Sequence, residues 1–247
     1  MGEKLLNTLG KEFASHGYPT LLTTTTHIMK PDFLSDESYI ENEDLGQLAN
    51  IFTNLKKNTL PLAALGIPEK VVNSNIKWRS PSSDFCKKIA EFSKKFSTKN
   101  PYKFLKILCE GDGSKRLPIK LPKDGEPVFF PKTDTVIGVI GLSCLGKPIK
   151  ETLFRYELLP NLTSLDNYFI KSLQSADIVT TDFLYRLCLS EKGLRKNITS
   201  QKFCIIFNQA DILDEKALAE VITLRNQLQT KGICSHIISV KNNYIIN

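Results

Sequence analysis

Apolar residues recur at helical spacing in three places. Leu5, Leu9 and Phe13 fall four apart with Leu6 beside them, as far as His16-Gly17, which predicts an opening amphipathic helix. From Asp84 to Phe96, the residues Phe85, Ile89, Phe92 and Phe96 interleave with lysine pairs. From Asp214 to Thr230, Ala217, Leu218, Val221, Leu224 and Leu228 share one face, and Gly232 follows as a stop signal. Five shorter runs are β-branched and apolar instead: Tyr18–Thr26, Phe104–Cys109, Thr135–Gly141, Lys202–Phe207 and Cys234–Val240. Strands of that kind alternating with helices predict an α/β fold, a mostly parallel sheet flanked by helices on both faces. The expectation is a single α/β domain over residues 1–247, with irregular insertions at about 28–83 and 111–133. Val71–Ser83, which holds the only tryptophan, Trp78, reads as a loop.

Composition narrows this little further. With 41% hydrophobic and 24% charged residues the chain is neither disordered nor fibrous. Its 247 residues suffice for a core that needs no disulfide or metal staple. The six cysteines are spread singly without a C-x-x-C pair, which suits buried thiols in a reducing cytoplasm. The start carries Glu3, Lys4, Lys11 and Glu12 and so lacks a signal peptide's apolar stretch, and Thr135–Gly146 is too short for a membrane span. A cytoplasmic protein without a membrane partner is expected. The net charge of +7 is concentrated between Asp84 and Lys123, where lysines alternate with core-facing apolar residues. That arrangement reads as the solvated face of a helix, and nucleic-acid binding is disfavoured because no aromatic stacking platform accompanies the charge.

In open parallel sheets ligands gather at the carboxyl ends of strands, so the polar residues that end each apolar run are the candidates for chemistry. Phe104–Cys109 runs into Glu110-Gly111-Asp112-Gly113-Ser114. Two carboxylates one residue apart share a side of an extended chain, and this pair suits hydrated Mg²⁺, although Asp-Gly-Ser is also ordinary turn chemistry. Lys202–Phe207 runs into Asn208-Gln209-Ala210-Asp211. That spacing is similar to the N-K-x-D element with which many P-loop GTPases read the base edge, while Asp211 or Asp214 could equally cap the following helix. The first strand ends in Thr23, Thr24, Thr25 and Thr26, whose hydroxyls suit phosphate oxygens or a metal's water shell; the alternative is plain β-propensity. His27 reads as a hydrogen-bonded edge histidine, because His16 and His236 offer no spacing for a metal cluster. No G-x-S-x-G, H-E-x-x-H or paired Cys/His spacing is present, and Ser143-Cys144 has no histidine nearby in sequence to activate it.

Taken in order, these blocks resemble the bacterial YqeC family, the selenium-dependent hydroxylase accessory proteins. The most specific match is Leu108–Lys120, LCEGDGSKRLPIK, which is similar to that family's V-E-A-D-G-S-[RK]-x-x-P-[LI]-K element and brings in Gly113, Ser114, Lys115, Pro118 and Lys120. Glu126-Pro127-Val128, Asp134–Pro148, Leu21–Ile28 and Phe207–Asp211 add further blocks, and Arg155 and Glu157 match a His-Arg-Pro-Glu-like segment in which Phe154 and Tyr156 replace the first and third members. The resemblance implies a P-loop NTPase-like fold and an accessory role in maturing selenium-dependent molybdenum hydroxylases of the xanthine dehydrogenase type. It implies Mg²⁺ and ATP or GTP as cofactors, with Thr23–Thr26, Asn208 and Asp211 toward the nucleotide and Glu110 and Asp112 toward the metal. Its implied partners are such a hydroxylase or its cofactor-maturation proteins. Family members open with a strand and a glycine-rich G-G-G-G-K-[TS] loop, and here Met1-Gly2 stands where that Gly-Lys falls. The expectation is a chain lacking the first strand and the Walker A loop, with weak nucleotide affinity and two sheet edges left unpaired. The alternative is a non-catalytic carrier or interaction module that keeps the fold.

Overall fold

A computed structural model of the chain describes residues 2–53, 60–99, 104–161 and 177–246. They form two compact units, one of residues 2–113 with 128–132, the other of residues 114–127 with 133 onward. Each is α/β, with parallel strands flanked by helices.

The first unit carries helix α1 (Gly2–Ser15), strands β1 (Thr20–Thr24), β2 (His27–Met29) and β3 (Tyr39–Ile40), and helix α2 (Leu45–Thr53). Strands β4 (Leu62–Leu65), β5 (Ile67–Val72) and β6 (Asn75–Arg79), helix α3 (Ser83–Lys99) and strand β7 (Lys106–Glu110) complete it. Its main sheet has the order β3-β4-β1-β7, all parallel. Both faces of this sheet are covered, which explains why β1 and β4 are buried at every position. On one face Leu21, Ala63 and Leu65 meet Leu48 and Phe52 of α2 and Phe85 and Ile89 of α3. On the other, Leu22, Leu62 and Ala64 meet Leu6 and Ala14 of α1 together with Trp78. As the lysine pattern predicts, α3 buries Phe85, Cys86, Ile89 and Ala90 while Lys87, Lys88, Lys94 and Lys95 stay in water.

Residues 28–83 are not the irregular insertion that their composition suggests. They supply β3 and β4 to the main sheet and form an antiparallel sheet in the order β2-β6-β5. Leu62-Ala63-Ala64-Leu65 escapes a propensity reading because alanine is a poor strand former. The supposed loop around Trp78 is a hairpin: Val72 pairs with Asn75 across Asn73 and Ser74, both with positive φ, 47° and 65°. Two left-handed residues match the twist of the flanking strands. Trp78 itself is 1% exposed and donates its indole N–H to Glu41 Oε1 at 3.1 Å.

The second unit carries β8 (Ile119–Lys120), β9 (Thr135–Gly141), helix α4 (Ile149–Thr152), β10 (Leu153–Phe154), helix α5 (Thr181–Leu189), β11 (Lys202–Asn208), helix α6 (Glu215–Thr230), β12 (Cys234–Ser239) and β13 (Tyr244–Ile246). Its main sheet has the order β13-β12-β11-β9, in which β9, β11 and β12 are parallel and β13 runs antiparallel. Strands β8 and β10 form a separate parallel pair. Thus the five strands visible in the sequence are divided between two main sheets rather than joined in one. Ile205, Phe207 and Ile237 point to a core with Phe183 and Leu187 of α5 and Val221, Leu224 and Leu228 of α6.

Asp214, and not Asp211, caps α6: its Oδ1 accepts from the Ala217 N–H at 2.7 Å. Replacing Asp214 with alanine leaves that N–H without its partner and is expected to cost about 1 kcal/mol, read as a lowered thermal midpoint. Among the described residues no helix is long and apolar enough to cross a membrane.

Candidate functional site

In the first unit the end of β1 is sewn to the end of β7. Register pairs Thr23 with Cys109 and Thr24 with Glu110. The Thr24 hydroxyl donates to the Glu110 carbonyl at 3.1 Å, and the Thr25 N–H donates to the same oxygen at 3.0 Å. Thr25 Oγ1 also donates to the Val128 carbonyl, and the Thr26 N–H donates back to Thr24 Oγ1 at 3.0 Å. Three of the four threonines therefore build the strand end itself. Thr23 differs: it is 2% exposed, and its hydroxyl has no hydrogen-bond partner among the described residues. A buried polar atom without a partner costs roughly 1–3 kcal/mol, and at 2% exposure Thr23 Oγ1 is closed to an incoming ligand as well.

The Glu110 carboxylate lies at the start of α1. A Cβ built on Gly2 would stand 3.0 Å and 3.2 Å from its two oxygens. A carboxylate at a helix N-terminus meets unsatisfied N–H groups and the positive end of the helix dipole, the same features that attract phosphate. Gly111 approaches the Val128 carbonyl so closely that a Cβ there would stand 3.3 Å away, whereas Gly113 has open space around it. His27 is a paired edge histidine, 3.3 Å from Glu69 Oε1.

In the second unit β11 ends on a second assembly. Asn208 is buried, and its Oδ1 accepts from the Gln209 N–H at 2.8 Å and from the Val240 N–H at 3.1 Å. Gln209 adopts the left-handed region at φ 75° and accepts from the Ser143 N–H at 3.4 Å. A non-glycine residue held there is strained and marks an over-determined turn. The turn carries Asp211 on a 3-10 segment, Ala210–Ile212, where the Ser239 hydroxyl donates to Asp211 Oδ1 at 2.7 Å. Ser239 in turn accepts from the Asn242 N–H at 3.2 Å. Asp211 is half-buried and fixed from the end of the neighbouring strand β12. Sequence reasoning finds Asn208 and Asp211 but misses Ser239 and Val240. Their only signal is position, because they end the next apolar run.

The segment after Gly113 belongs to the second unit as well. Lys115 and Arg116 both have positive φ, and the Leu117 N–H donates to the Ser114 carbonyl at 3.0 Å, closing a tight turn. The Ser114 hydroxyl donates to the Leu117 carbonyl at 2.7 Å, and the Pro118 carbonyl accepts from the Gly141 N–H at 2.9 Å. Lys120 and Arg155 then converge on Glu126. Lys120 Nζ is 2.8 Å from Glu126 Oε2, while Arg155 contacts that oxygen through Nη1 and donates through Nη2 to Oε1 at 2.9 Å. All three side chains are 15% exposed or less. The Arg155 hydrogen bonds, with help from Lys120, hold the Glu126 carboxyl at about 2 against the desolvation that opposes them. Phe154 lies within cation–π distance of Lys115, Lys120 and Arg155, at 5.0, 5.7 and 4.9 Å. Glu157 sits on the following 3-10 segment, Tyr156–Asn161, and its charge favours the Arg155 cation.

The cysteines correct one expectation. Cys86, Cys144 and Cys188 are buried, but Cys109 and Cys204 are half-buried and Cys234 is exposed. Burial pushes the Cys109 and Cys144 thiols up to about 12, so neither is a nucleophile at neutral pH. The absence of paired Cys/His spacing is also misleading: Cys204, Cys234 and His236 bring their donor atoms within 4.8 Å of one another.

These features define an α/β protein whose strand ends carry carboxylates and amides fixed by their neighbours. A family model described as YqeC protein matches residues 4–157, more than half of the chain, and the chain belongs to the YqeC family. No curated protein and no solved structure compared with it matches.

Proposed function

We propose that this chain is an accessory protein in the maturation of selenium-dependent molybdenum hydroxylases and that it works with Mg²⁺ and a purine nucleoside triphosphate. Family membership supports the role, and the Asn208-Asp211-Ser239 assembly supports the nucleotide. That assembly is the observation on which the reading rests. Because Asp214 caps α6, Asp211 is released from the structural role that its position first suggests. Its carboxylate is instead pre-oriented by Ser239 at a strand end, with no reorganisation needed on binding. A carboxylate accepts from two adjacent N–H donors, and the guanine Watson–Crick edge presents such a pair, so GTP is favoured over ATP.

The sequence assigns Mg²⁺ to Glu110 and Asp112 of the first unit, an assignment separate from that of Asp211. Of these, Glu110 lies against the start of α1. Bound Mg²⁺ would neutralise phosphate charge and polarise a phosphoryl oxygen. The carrier reading is favoured by one observation, the Glu110 carboxylate lying against Gly2 where a phosphate would be drawn.

Titration with a fluorescent guanine nucleotide, with and without Mg²⁺, tests the proposal. Asp211→Asn exchanges an acceptor for a donor and is expected to weaken binding on the order of 10- to 100-fold, the worth of one or two hydrogen bonds to a charged group. Binding that is absent both with and without Mg²⁺ would leave the carrier reading. Loss of hydroxylase activity without loss of hydroxylase protein, in cells lacking this chain, tests the maturation role independently.

A further inference from the structure

Strands β11 and β12 are parallel neighbours in continuous register, with Cys204 opposite Cys234 and Ile206 opposite His236. Period-two alternation puts Cys204, Cys234 and His236 on one face, while Ile205, Ser235 and Ile237 are turned to the other and buried. Cys204 is half-buried, and Cys234 and His236 are exposed. Ile137, opposite Cys204 on β9, is 39% exposed, so this end of the sheet face is open to solvent.

The donor geometry is close to that of a tetrahedral metal site. Zn–S bonds of about 2.3 Å and a Zn–N bond of about 2.0 Å place two sulfurs about 3.8 Å apart and sulfur and nitrogen about 3.5 Å apart. Here Cys234 Sγ is 3.5 Å from His236 Nε2 and 3.1 Å from Cys204 Sγ. The sulfurs stand about 0.7 Å closer than that spacing and must separate to admit the ion. The backbone that carries the donors is held by full ladders on both sides of β11, so the site is organised before a ligand arrives.

We infer that Cys204, Cys234 and His236 form a Zn²⁺-binding site with its fourth position open to water or an incoming ligand. Two thiolates and one imidazole select a borderline-soft ion of tetrahedral habit over Mg²⁺ or Ca²⁺, which take oxygen donors. Binding replaces the two thiol protons, which pass to solvent, so the thiolate charges balance the ion. Three protein ligands with one open position is the pattern of reactive or exchangeable zinc rather than of closed structural sites. This site is independent of the nucleotide reading and stands if that reading fails.

The test is a titration of the reduced, metal-free protein with Co²⁺, followed by competition with Zn²⁺ against a chromophoric chelator. One Co²⁺ per chain is expected, with a thiolate-to-cobalt charge-transfer band and visible bands of tetrahedral intensity, both abolished by Zn²⁺. Cys234→Ser and His236→Ala alter exposed side chains, leave the circular dichroism unchanged, and each weaken Zn²⁺ binding on the order of 100-fold or more, since even loss of an outer partner to a ligand costs about 10- to 100-fold. His16→Ala, at an exposed histidine of the first unit, leaves binding unaltered. A Co²⁺ complex without the charge-transfer band, or a band that survives Cys234→Ser, overturns the assignment. So does a reduced protein that binds neither ion and merely forms a Cys204–Cys234 disulfide in air, detected as a mass two hydrogens lower.

Discussion

Glu126→Ala is expected to destabilise the second unit by about 3–5 kcal/mol, because it removes the carboxylate on which the largely buried Lys120 and Arg155 cations converge. Urea unfolding followed by circular dichroism measures this; Trp78, the sole tryptophan, lies in the first unit and reports on that unit instead. The same residue sets a window of acid sensitivity. The Glu126 carboxyl is lowered from an ordinary 4.5 to about 2 in the folded protein. Its stabilisation is therefore fully present above about pH 4.5 and is lost as the pH falls toward 2. The linked free energy is about 3 kcal/mol. Glu126→Gln keeps the shape and removes the charge, so it should flatten the pH dependence of stability in that window. Replacing Glu126, Lys120 and Arg155 together with apolar residues of similar volume should recover much of the loss, because the cost arises from breaking the cluster and not from its absence. A single Glu126→Ala variant as stable as the parent at pH 7 would show that the cluster contributes nothing to the fold.

Gly66→Ala is expected to cost about 3 kcal/mol, the upper end of the overpacking range, in the first unit. A Cβ there would stand 2.3 Å from Trp78 Cε3, 2.6 Å from Cδ2 and 2.8 Å from Trp78 Cβ. The last of these is tied to the backbone of β6 and cannot swing away. The ring is also fixed, by its hydrogen bond to Glu41 and an edge-on contact with Tyr39 at 5.9 Å between ring centres. Gly66 itself donates to the Ile40 carbonyl at 3.1 Å, so the glycine cannot retreat without loosening β3. Trp78 fluorescence follows the effect directly. Adding Trp78→Leu removes the clash, and the double variant should be more stable than the sum of the single changes predicts. Strict additivity would mean that Gly66 and Trp78 do not compete for the same space.

The local elements of this protein are legible in its amino-acid order. The four-residue spacing of Leu5, Leu9 and Phe13, the lysine-edged stripe of α3 and the capped face of α6 are set by side chains within a turn or two of one another. The same holds for the apolar runs that become β1, β7, β9, β11 and β12, and for the polar residues that end them. Periodicity states which way a side chain points along its own element, and little more.

Tertiary structure decided which elements are neighbours. Whether five parallel strands make one sheet or two depends on pairings between distant residues, and period-two alternation is identical in either case. Leu62–Leu65 became a central strand through burial on both faces despite its alanines. Ser239 reached Asp211, and Glu126 collected Lys120 and Arg155, across 28, 6 and 29 positions of chain. Cys204 and Cys234, 30 positions apart, became a matched pair because register set their strands side by side, which no spacing rule along the chain could anticipate.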